Sequence, residues 1–170
     1  MKSGSTWLKF GLASLLTAAS TAYASTWNTF VQAYNEETAL FFFDADTVIK
    51  QPDSVTLWVK YVHTKAPDSD GSWSTAQRYV IICSKRTAQS QGYSLYDKDG
   101  KFIRSSSTLG RVADIVPDSI LEGIHKAVCT PDFPKNKSGD HYFPVKDNDI
   151  FSYTRRFMEF RESQKDSAPK

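Results

Sequence analysis

Three hydrophobic patterns succeed one another along the chain. Val55, Leu57, Val59 and Tyr61 recur at every second position, the signature of a strand with one face buried, predicted from Val55 to His63. Arg78–Cys83 is instead β-branched and apolar on both faces, which predicts a central strand with Cys83 at its end. Ile120, Leu121, Ile124 and Val128 repeat at helical spacing, and Ser119 with Glu122 forms a capping box ahead of them. A short helix is therefore predicted from Ile120 to near Cys129.

Around these lie weaker signals. Trp27–Tyr34 and Leu40–Phe43 read as two earlier strands, and Gln51-Pro52-Asp53-Ser54 and Ala66–Ser72 as loops. A strand over Gly92–Tyr96 turns at Asp97-Lys98-Asp99-Gly100 and returns through Lys101-Phe102-Ile103, a hairpin in which Gly100 supplies positive φ. Beyond Pro131 and Pro134 the sequence turns polar over 135–140. From Asp149 a second helix is predicted, with Ile150, Phe151, Tyr153, Thr154, Phe157, Met158 and Phe160 on a broad face opposite Ser152, Arg155, Arg156 and Glu159. That face suits packing on the open side of a sheet, or docking to a membrane or partner. Residues from Ser163 onward read as a frayed tail. The expected fold is α+β: an antiparallel meander packed with one or two C-terminal helices.

The first 24 residues stand apart. Lys2 and Lys9 precede and flank the apolar run Phe10–Ala19, and Ala22-Tyr23-Ala24 fits a secretory cleavage site. The expected organisation is an export signal over 1–24, a sheet with its tethered helix over 25–134, and a connector, amphipathic helix and tail over 135–170. No other apolar run is long enough to span a membrane. Of 21 basic residues only Lys2 and Lys9 lie in 1–24, which holds none of the 19 acidic ones, so the remainder has a formal charge of zero. A neutral chain lacks the basic surplus of a nucleic-acid binder. In an exported chain, Cys83 and Cys129 most simply form one disulfide. The rival is a metal site using Cys129 and His125, but a zinc site needs about four ligands, and only His63 and His141 could be added from the histidines. No metal and no other cofactor is expected.

Phe41-Phe42-Phe43-Asp44-Ala45-Asp46-Thr47-Val48-Ile49 could spell the first motif of a haloacid-dehalogenase-like phosphatase, with Asp44 as nucleophile and Asp46 as acid and base. Such an enzyme needs the nucleophile at the carboxyl end of a parallel strand, within alternating strands and helices. Here the motif is followed by strands and hairpins, so Asp44 and Asp46 read as turn residues at a strand end. No G-x-S-x-G or G-x-x-x-x-G-K-[ST] signature occurs.

In that order, FFFDADTVI, VTLWVKY, Cys83, YDKDGK, DIVPDSI and KAVC resemble the bacterial surface-adhesin protein E family over about Leu40 to Cys129. The resemblance implies an antiparallel sheet packed with helix, a disulfide at the positions of Cys83 and Cys129, no catalysis, and attachment to host extracellular-matrix proteins. The family's namesake is similar to a lipoprotein anchored through a cysteine at its cleavage site. Residues around Ala24 contain none, so export to the periplasm or cell surface is expected without that anchor. Candidate protein-ligand contacts are Lys85, Arg86 and Arg78 around the central strand and Trp73 in the loop before it. The competing reading is a soluble periplasmic structural or inhibitory protein that uses the C-terminal helix against an envelope partner. The residues do not indicate an oligomeric state.

Overall fold

In the computed structural model, residues 25–35, 39–64, 68–135, 141–145 and 149–166 are described. The export signal expected over 1–24 and most of the connector, from residue 136 to 140, lie outside them. The described chain forms nine strands, two α-helices and one short 3-10 turn over Ala45–Thr47. The strands are β1 (Trp27–Asn35), β2 (Ala39–Asp44), β3 (Ile49–Lys50), β4 (Ser54–His63), β5 (Ser74–Ile82), β6 (Thr87–Tyr96), β7 (Phe102–Ser106), β8 (Ala113–Asp114) and β9 (Tyr142–Pro144). The helices are α1 (Ile120–Val128) and α2 (Ile150–Asp166). All pairings are antiparallel. The order across the sheet is β7-β6-β5-β4-β2-β1-β9, with β3 beside β4 and β8 beside β6.

Both faces of the sheet are used, which explains why three phenylalanines stand in a row. Phe43 points to the face under α1, where it packs with Phe30, Val55, Leu57, Val59 and Ile81 against Ile124, Ala127 and Val128. Phe42 points to the other face, packing with Leu40, Val62 and Val145 under Ile150 of α2. Both rings are fully buried. Phe43 also meets Phe30, Phe133 and Tyr142 at centroid distances of 5.0, 5.1 and 5.2 Å, within the range where tilted rings attract beyond their buried area.

The period-two pattern of β4 holds from Val55 to Val59. It then gives way: Val62 is buried on the opposite face, because α2 covers that end of the strand. The turn predicted at Asp97–Gly100 forms, with Gly100 at φ +76° and the Asp97 carboxylate accepting the Asp99 and Lys101 N–H groups. Ser119 caps α1, its hydroxyl accepting from the Glu122 N–H at 3.2 Å. The reciprocal contact of the box is shifted by one residue, since the Glu122 carboxylate accepts from the Asp118 N–H at 2.9 Å. Asp149 caps α2 through the Phe151 and Ser152 N–H groups. On α2, Ile150 and Thr154 are buried, whereas Phe160, at the far end of the predicted apolar face, is 61% exposed.

Candidate functional site

The two sulfurs form the Cys83–Cys129 disulfide. They are therefore consumed, and the metal alternative loses its thiolate. The His125 imidazole packs beside the bridge, with Nε2 3.2 Å from the Cys83 carbonyl oxygen.

Asp44 and Asp46 serve the backbone. Asp44 is buried and ends β2; its carboxylate accepts from the Asp46 N–H at 3.1 Å, and Asp46 in turn accepts from the Thr26 N–H at 2.8 Å. β2 runs antiparallel to both neighbours, so the motif is not at the carboxyl end of a parallel strand. Asp44→Ala is expected to cost about 1 kcal/mol, the typical value of a lost cap, read as a lower urea midpoint.

The four residues singled out as ligand contacts fall in three places. Trp73 and Lys85 lie at opposite ends of β5, separated by about 30 Å of strand. Trp73 lines a cleft of about 430 Å³ under α2 with Val62, Phe151 and Met158. Arg78 lies mid-strand on the face that α2 leaves partly open. Lys85 and Arg86 occupy the tight β5–β6 turn, where Arg86 takes φ +50° and its guanidinium donates to Glu122 at 2.7 Å. The Asp118 N–H first, then Arg86 and Lys126, hold the Glu122 carboxyl down at about 2. Lys85 stands near Asp53, whose carboxyl is lowered chiefly by hydrogen bonds from Ser84.

A surface missed by single-residue reading adjoins that turn. The segment after β7 runs back along β6 as a strap, tied by the Gly110 N–H to Ser90 O at 2.8 Å and the Ile115 N–H to Arg86 O at 2.9 Å. Of eight exposed large hydrophobic side chains among the described residues, five lie between 102 and 116: Phe102, Ile103, Leu109, Val112 and Val116. These five fall within one fifteen-residue stretch of the chain. Lys101, Arg104 and Arg111 are interspersed and exposed; Arg104 pairs with Asp70 at 2.9 Å. β7 is also an outer strand of the sheet, with no described strand beyond it.

The sequence model of the surface-adhesin protein E family matches residues 27–130, from the first residue of β1 to just past α1. The chain belongs to this family. No curated protein and no solved structure matches it. Membership of an adhesin family gives a protein ligand and a cell-surface setting as the coarse function. Among the described residues no helix is long and apolar enough to cross a membrane. The matched segment contains the β5–β6 turn, β7 and the strap; β9 and α2 lie beyond it.

Proposed function

We propose that this protein E family member is an exported, non-catalytic adhesin that takes a protein ligand, such as a host extracellular-matrix protein, on the β7 edge and the adjoining strap. The observation that carries the reading is the run of exposed apolar side chains from Phe102 to Val116 beside an outer strand. An extended ligand segment would add to β7 through main-chain hydrogen bonds. Leu109 and Val112 would supply apolar contacts, with Lys85, Arg86 and Arg111 as basic neighbours at the rim. Arg78 stands two strands in from the β7 edge, and Trp73 lines the cleft under α2.

The test is attachment of the purified chain to a panel of immobilised matrix proteins. The combined change Leu109→Asp and Val112→Asp is expected to weaken binding about tenfold or more, as loss of contacts worth over 1.4 kcal/mol would, and leave the unfolding midpoint unchanged. Undiminished binding would move the site elsewhere. Protease shaving of intact cells checks location, since a surface adhesin is digested while a periplasmic control survives. The periplasmic alternative draws on one observation, the exposed Phe160 on α2. It predicts protection from shaving and a partner lost on Phe160→Asp.

A further inference from the structure

α2 covers only part of its face of the sheet. On the open part, Trp58 of β4 and Arg78 of β5 are direct cross-strand partners, so their side chains stand next to one another on one face. With residues 91–94 of β6 and the serines 105–107 they line a shallow trough of about 290 Å³. A bulge shapes its floor. Gln77 pairs with Tyr93 and Tyr79 with Ser90, so Gln91 and Gly92 together oppose Arg78. Gly92 has φ +123°, and a Cβ there would come within 2.5 Å of the Ser106 carbonyl oxygen. Only glycine permits this close approach of β6 to the end of β7.

The chemistry of the lining is specific in kind. It contains an indole, a guanidinium, a primary amide and several hydroxyls, and no carboxylate. Arg78 makes no hydrogen bond or ion pair with any described residue, and the side chains of Gln91, Ser94, Ser105 and Ser107 make no hydrogen bond with one either. Arg78, Gln91 and Ser94 are half-buried and Ser105 and Ser107 exposed, so their polar groups are open to an external partner.

We propose that this trough binds an acidic sugar residue of a glycan chain. The indole face offers a platform for the apolar C–H face of a pyranose. The guanidinium matches a carboxylate in paired hydrogen bonds. The amide and serine side chains answer the sugar hydroxyls, as a few placed polar groups do in small-ligand sites. An inorganic anion would engage Arg78 and leave Trp58 unused. A strand-adding peptide requires a free edge, whereas β4, β5 and β6 are paired on both sides here. The trough meets β7 and the start of the strap at Ser105–Ser107, but Trp58, Arg78 and Gln91 stand on β4, β5 and β6, so changes at Arg78 and at Leu109 with Val112 test the two sites independently.

The full chain would be titrated by calorimetry with a glucuronate-bearing hyaluronan hexasaccharide, a neutral chito-oligosaccharide and a sulfated heparin fragment. The hyaluronan fragment is expected to bind about tenfold more tightly than the neutral one, since a charge-assisted hydrogen bond is typically worth over 1.4 kcal/mol. Arg78→Gln should erase that preference and, having no internal bond to lose, leave the fold intact. Trp58→Leu should weaken both by about tenfold or more, the order of a lost stacking contact. The strap variant should bind the hyaluronan fragment as well as the unchanged chain does. No saccharide binding, equal affinity for the neutral oligosaccharide, or undiminished binding in both trough variants would overturn the proposal. Capture of the heparin fragment alone, abolished by raised salt, would likewise overturn it, as adsorption by charge.

Discussion

Replacing both Cys83 and Cys129 by alanine is expected to destabilise the protein by about 4 kcal/mol, the chain-entropy value for a closed loop of this size. The bridge joins residues 46 apart in sequence. It ties the β5–β6 turn to the end of α1, and the loop it closes contains β6, β7, the strap and α1 itself. Gly123 lies inside this nine-residue helix, where glycine is worth about 1 kcal/mol less than alanine, so α1 depends on packing and on the bridge. Against a total stability of about 5–15 kcal/mol for an ordinary domain, the loss is large. Urea unfolding with and without reductant provides the check. Reductant should lower the wild-type midpoint towards that of the double alanine chain and leave the latter unmoved. Equal midpoints for the two oxidised proteins would show that the bridge adds nothing to stability. Because the strap is tethered at Ile115 to the turn beside Cys83, the same change should also weaken attachment through the strap.

The long elements were legible in the sequence because each carries its own signal. Val55, Leu57 and Val59 alternate, Ser119 and Glu122 announce α1, and Gly100 marks the hairpin. β3, β8 and β9 were not, since ladders of two or three residues are selected by the neighbouring strand and not by their own pattern. The first half of β6, Thr87 to Gln91, has little apolar periodicity, and is placed by β5 on one side and by the strap on the other. Single residues of the candidate sites were also legible: Arg78, Lys85 and Arg86 stand out as basic residues around a central strand. Their grouping was not. Arg78 meets Trp58 only through the β4–β5 register, twenty residues apart in sequence. Leu109, Val112 and Val116, read singly, do not differ from core residues; exposure distinguishes them, and exposure depends on the finished fold.

Lys60→Met is expected to stabilise the protein by about 2 kcal/mol at pH 7, with the gain fading as pH rises. Alternation along β4 puts Lys60 on the face that α2 covers. Its amine sits 4.0 Å from the centroid of Tyr96, 5.3 Å from Phe151 and 5.8 Å from Trp27, and pairs with no carboxylate among the described residues. Burial lowers the amine from 10.5 to about 8. That gap corresponds to about 3 kcal/mol, of which three ring faces return about 1 through cation–π attraction. The sign follows from the proton count. Below pH 8 the amine is charged in both states and the folded chain bears the full cost. Between about 8 and 10.5 the unfolded state holds more protons, so stability rises with pH. Tyr79, raised to about 12 by burial, acts in the opposite direction once its unfolded counterpart ionises near pH 10. Comparing wild type with Lys60→Met at each pH cancels that contribution, as the tyrosine is common to both. Urea midpoints from pH 7 to 10 should therefore converge. A gap that persists unchanged to pH 10 would assign the gain to methionine packing and not to the removal of a buried charge.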